Sequence, residues 1–156
     1  MPTSFDRDAM LAALESEQNA LTALLPRFSD AQWRDASRAD GWTAQDIASH
    51  VADSIYGLAR LTLGEMEPML PTDPATGWMD ASDYNEQRRQ QNRTLPREKL
   101  ASRMAAAFGT ARRAIETVPD PEAAGPYGPQ HTKAQWLQRI VDHVHEHRSE
   151  LEELLG

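Results

Sequence analysis

The 156-residue sequence contains no cysteine. That absence excludes disulfides, thiolate metal sites and a cysteine nucleophile. Any metal must be held by nitrogen and oxygen ligands, and any thiol chemistry must use a thiol brought in from outside. Long apolar runs are missing too: none approaches the roughly 20 residues needed to cross a bilayer, so no membrane partner is expected. The first six residues lack a basic stretch followed by an apolar one, so no secretory signal is read there and the expected location is cytoplasmic. Positive charge is in the minority, with 16 Lys and Arg against 24 Asp and Glu, a formal net charge of −8. DNA binding normally needs a basic surface, so no nucleic-acid partner is expected. The one local basic run, Arg88, Arg89 and Arg93, is too small to reverse that reading.

What is present is helical. Apolar residues recur at three and four positions in four segments, while no alternating stretch long enough for a sheet occurs. The first segment covers about 6–25, with Met10, Leu14, Leu21 and Leu25 on one stripe. Ser29 and Gln32 have capping-box spacing for a short turn after it. The second helix is expected to start at Thr43, whose hydroxyl can accept the amide of Asp46. It continues through Ile47, Val51, Leu58 and Leu61 and fades near 64–67. Residues 68–79 carry Pro68, Pro71, Pro74 and Gly77, which block helix and central strand alike and read as a long crossover. Residues 80–93 read as a polar helical lead-in. Pro96 then marks an early position of the third long helix, with Thr94 as its cap and Leu100, Met104, Phe108, Ala111, Ile115 and Val118 as its stripe. A second loop spans 119–130, with four prolines and two glycines, and the last helix covers about 133–155. Four long helices with short and long connections imply an all-α four-helix bundle, read as one domain over 1–156.

Three of the five histidines crowd into Asp142-His143-Val144-His145-Glu146-His147-Arg148. A helix turns by about 100° per residue, so His143 and His147 stand one above the other while His145 points elsewhere. The pair falls on the face carrying Trp136, Ile140, Leu151 and Leu154. Buried imidazoles need partners. His50 sits in the same way on the second helix, beside Ile47, Ser54, Leu58 and Leu61. Three inward histidines on two helices fit a metal site with an open position; the competing reading is three hydrogen-bonded core histidines. His145 reads as a surface residue and His131 as a loop residue. Asp142, Glu146 and Glu150 read as part of a charged face, and Trp42 and Trp136 as core.

The segment Gly41-Trp42-Thr43-Ala44-Gln45-Asp46-Ile47-Ala48-Ser49-His50 resembles the second-helix signature of the DinB-like superfamily, and His143-x-x-x-His147-Arg148 resembles its fourth-helix ending. That superfamily includes the mycothiol-dependent maleylpyruvate isomerases and the bacillithiol transferases. The resemblance covers nearly the whole chain. It implies an up-down-down-up bundle, often a homodimer, with a zinc or nickel ion on His50, His143 and His147. Ser149-Glu150 departs from the common Gly-Gln ending. Some members have a carboxylate at the position of His143, and the all-histidine set is closer to the thiol-transferase branch. The function so implied is a metal-dependent transferase or isomerase using a low-molecular-weight thiol, with Asn85 as a polar contact in the binding site. The rival readings are metal-dependent hydrolysis, and a non-catalytic metal- or ligand-binding protein of a stress response.

Overall fold

A computed structural model describes residues 5–156. Residues 1–4, part of the stretch read above as non-secretory, lie outside them. The elements in order are α1 (Arg7–Leu24), α2 (Asp30–Asp35), α3 (Ala44–Leu63), α4 (Ser82–Asn92), α5 (Arg97–Thr117), β1 (Ala124–Gly125), β2 (Gly128–Thr132) and α6 (Lys133–Leu155). The four long helices α1, α3, α5 and α6 form the bundle, with α3 packed on both α5 and α6, and α1 packed on the same two. No helix among the described residues is long and apolar enough to cross a membrane.

Side chains start most of the helices. Asp6 accepts the amide of Ala9 at the head of α1. Ser29 and Gln32 close the expected capping box on α2, and Thr43 and Asp46 close another on α3. Thr132 and Gln135 form a third at the start of α6. Each satisfies amides that a helix end would otherwise leave without partners. Two expectations at helix ends change. Leu25 belongs to a single 3₁₀ turn, Leu25–Arg27, because Pro26 cannot continue the α-helical ladder. Thr94 does not cap α5: Pro96 itself is the cap residue, in an extended conformation and without a side-chain bond.

Hydrogen bonds between helices give their directions. Arg7 at the start of α1 donates to the carbonyls of Ile115 and Val118 at the end of α5, and Arg97 at the start of α5 donates to Leu25 and Phe28 after α1. These two helices are therefore antiparallel. Gln45 at the start of α3 donates to carbonyls just before α5, while Glu65 after α3 pairs with Arg113 late in α5, so α3 and α5 are parallel. Arg38, just before α3, pairs with Glu150 late in α6, while His50, further along α3, meets His143 at the middle of α6, so that pair is antiparallel. The result is up-down-down-up. A parallel pair of 20-residue helices forces the chain to return roughly 30 Å, and residues 65–96 make that return.

The core is the set of stripes read from sequence. Ile47, Val51, Leu58 and Leu61 of α3, all six named residues of the α5 stripe, and Trp136, Ile140 and Leu151 of α6 are buried, with Leu14, Leu21 and Leu24 from α1. Met10 and Leu25 are only half-buried against it. The second loop is not wholly irregular. Its residues 124–132 form a two-stranded antiparallel hairpin, β1–β2. Strands this short carry no readable alternation. The hairpin is fixed instead by close approach: a Cβ on Gly125 would collide with the Trp136 indole and lie 2.8 Å from the His131 carbonyl oxygen.

Candidate metal centre

The chain brings His50, His143 and His147 together. One ring nitrogen from each lies within 4.8 Å of the others, and among the described residues this is the group of His, Asp and Glu side chains that could hold a metal ion. His50 stands two turns into α3, and His143 and His147 stand on consecutive turns of α6. His143 Nε2 lies 3.1 Å from His50 Nε2. The three rings meet edge to face, with centroids 4.4 to 4.9 Å apart.

Each imidazole is supported differently. His147, the most buried, directs Nδ1 at Glu150 Oε2, 2.7 Å away. A proton shared there leaves Nε2 free to face the other two rings. Burial alone would raise the Glu150 carboxyl, but the hydrogen bond and charge of His147, with Arg38, outweigh it and hold the group below its ordinary value. Arg38 Nη1 sits 2.9 Å from the same Oε2 and also pairs with Asp40. Ser54 Oγ lies 3.2 Å from His50 Nδ1, and Trp42 presses edge-on against the His50 ring at 5.5 Å. Trp42, expected in the core, is thus half-buried beside the site, whereas Trp136 is buried as expected. Glu150 was expected on a charged face. It turns inward because i, i+3 spacing places it over His147.

Burial keeps two of the rings neutral. Burial, followed by the neighbouring His147 and Arg38, lowers His50 to about 4. Burial, His147, His50 and Arg139 lower His143 to about 2. Neutral imidazole is the ligating form. Nitrogen ligands 2.0–2.1 Å from one tetrahedral ion stand about 3.3 Å from each other. The 3.1 Å separation of His50 and His143 is close to that edge. Three imidazole nitrogens converging without a carboxylate among them therefore fit a borderline divalent cation.

The site opens into a cavity of about 890 Å³ that His50 and His143 line from one side. Apolar residues of α3 and the crossover, Leu58, Leu61, Met66, Leu70 and Met79, form much of its wall. Asn85 of α4 lines it too and is half-buried. Neighbouring Arg88 is tied to Asp53 through Nε and Nη2 at 3.1 and 3.2 Å. A second recess of about 300 Å³ lies on the other side of His143 and Arg139.

The remaining histidines stay out of the centre. His145 is exposed and bonds Glu17 at 2.8 Å, beside Arg148. His131 lies in β2 rather than in a loop, stacked on Trp78 at 3.6 Å with Nε2 2.7 Å from the Thr76 carbonyl. Asp142 and Glu146 are exposed, as expected, yet both border the smaller recess.

Residues 14–152 match the family model of the mycothiol maleylpyruvate isomerase N-terminal domain. The chain belongs to this family. Membership accords with the DinB-like resemblance and the all-α bundle, and the family match spans both histidine-bearing helices. No curated protein and no solved structure matches the chain. The sequence reading set Ser54 beside His50 without giving it a role, and it missed the inward turn of Glu150 and the place of Arg139. A helical wheel places Ser54 and Arg139 one turn from His50 and His143, and that spacing was the available signal.

Proposed function

We propose that this family member is a metal-dependent transferase or isomerase that uses a low-molecular-weight thiol. His50, His143 and His147 hold one divalent ion, zinc or nickel, and Asn85 contacts the bound thiol or substrate. The carrying observation is the meeting of three imidazoles, two of which line a cavity large enough for a small organic ligand. When bound, the ion supplies a Lewis acid that favours the thiolate form of a sulfur ligand. The chain's own residues do the rest. His147 is oriented by Glu150, His50 by Ser54, and the apolar wall excludes water from the reacting sulfur. With no cysteine in the chain, the thiol comes from a cofactor. The family's name points to mycothiol as the first to try.

The test has two stages. Metal content is measured by mass spectrometry on untagged protein, with His50→Ala and His147→Ala alongside; one equivalent in the parent and none in the folded variants is expected. Loaded protein is then assayed with several small thiols and electrophiles. Absence of metal after reconstitution sinks the centre. Metal without thiol-dependent turnover removes the transferase reading, and thiol-independent ester cleavage replaces it with hydrolysis.

A further inference from the structure

Arg139 differs from the arginines around it. Arg38, Arg88, Arg89 and Arg148 each pair with at least one carboxylate. Arg139 makes no hydrogen bond or ion pair among the described residues, although it lines both cavities beside His143. Its guanidinium carbon sits 4.6 Å from the centroid of the Trp78 ring, which also stacks on His131 and meets Trp136 edge-on. An arginine lying on an aromatic ring keeps its charge and its in-plane N–H groups, which match a carboxylate through two parallel bonds. Arg139 lies four residues before His143, so the two occupy one helical face.

The other charges of the larger cavity shape what can reach it. Asp53 is neutralised by Arg88. Glu67, Asp73 and Asp80 lie along the crossover wall, where Asp73 and Asp80 accept amides of their own loop and have no basic partner among the described residues. A ligand bearing several negative charges is repelled there. The remaining wall is largely apolar, from Leu58, Leu61, Met66 and Leu70.

We infer that Arg139 is the anchor of a subsite for a single carboxylate carried on an apolar body. The electrophile is then an amphipathic monocarboxylate whose acid group binds Arg139 and whose body fills the apolar wall. This assignment rests on the proposed reaction for its meaning, but the subsite exists whether or not metal is bound.

The test is calorimetric titration of the full chain, metal-loaded and metal-stripped, with phenylacetate, its uncharged amide phenylacetamide, the dianion phenylmalonate, and inorganic phosphate. Phenylacetate is expected to bind both forms, with the amide, phenylmalonate and phosphate each at least about tenfold weaker. Arg139→Ala is expected to lose about tenfold in phenylacetate affinity, and Arg139→Lys, which lacks the fork, most of that. Circular dichroism checks that both keep the fold. Equal binding of acid and amide overturns the subsite, as does an unchanged affinity in Arg139→Ala. Preference for phosphate or phenylmalonate overturns the monocarboxylate. Binding only to metal-loaded protein, unaffected by Arg139→Ala, assigns the carboxylate to the ion instead. Because the stripped protein is titrated separately, failure of the metal centre leaves this result readable.

Discussion

Glu150 is one of two residues, with Ser149, at which the sequence departs from the ending it resembles, and the structure gives it a partner. A carboxylate on His147 Nδ1 raises the basicity of the ring that Glu150 orients. Glu150→Gln keeps the shape and removes the charge. Its metal affinity is expected to fall about 10- to 100-fold, read by competition with a chromophoric chelator; an unchanged affinity would show that Arg38 already cancels the carboxylate. The imidazoles also set a pH dependence. His50 falls from 6.5 to about 4 on folding, so the unfolded chain binds its proton first as pH drops. Metal-free protein is therefore fully stabilised by this group above pH 6.5. His50 alone contributes a loss on the order of 3 kcal/mol between pH 6.5 and 4. Urea titrations at several pH values check this, and His50→Phe is expected to reduce the slope over that window without abolishing it, because His143 is lowered as well. His143 and His147 were legible as a pair because helical geometry stacks i and i+4, and His50 because it falls beside the apolar face of its own helix. Glu150 was not, since an exposed and an inward glutamate look alike until Arg38 is brought in from 112 residues away.

α4 depends on ties that no local pattern announces. Its own residues are polar, and only Asn92 is buried. It is held to α3 by Arg88 on Asp53, Arg89 on Asp46, and Asn92 on Asp53. Gln45 fastens the turn that follows: its Nε2 lies 3.1 Å from the carbonyls of Asn92, Arg93 and Leu95. Gln45→Ala takes this donor from the part-buried carbonyls of Arg93 and Leu95, while the Asn92 carbonyl keeps only the Leu95 amide. It is expected to cost about 1–3 kcal/mol and to speed amide hydrogen exchange across 90–96, with α1 and the far end of α6 unaffected. Uniform acceleration over the whole chain would mean instead that α4 opens only with the bundle. The sequence showed where α4 would form, since Pro and Gly bracket it, but not how it docks. Docking uses long-range ion pairs, which leave no periodicity behind. The β1–β2 hairpin escaped for a related reason, being fixed by Gly125 meeting Trp136 rather than by alternation.

Across the whole molecule, the four stripes specified a bundle because each long helix had one apolar face to bury. The up-down-down-up order came with the resemblance, and the long proline-rich return accords with it, since parallel neighbours cannot be joined by a tight turn. This topology places the three histidines between α3 and α6, an antiparallel pair from distant parts of the chain. A metal held there binds the folded state and not the separated helices, so it adds RT ln(1 + [L]/Kd) to stability. At a free concentration of 100 Kd that is about 2.7 kcal/mol, or a rise in Tm of roughly 5–10 °C for a domain of this size. Chelator-stripped protein is expected to melt lower by that amount and to recover on adding zinc or nickel. His147→Ala is expected to melt lower still and to show no recovery. The alanine cannot complete the ligand set, and Glu150 is left facing Arg38 alone. Equal recovery in parent and His147→Ala would place the stabilising ion elsewhere on this acidic surface, and the histidines would then be joined by hydrogen bonds in the working protein.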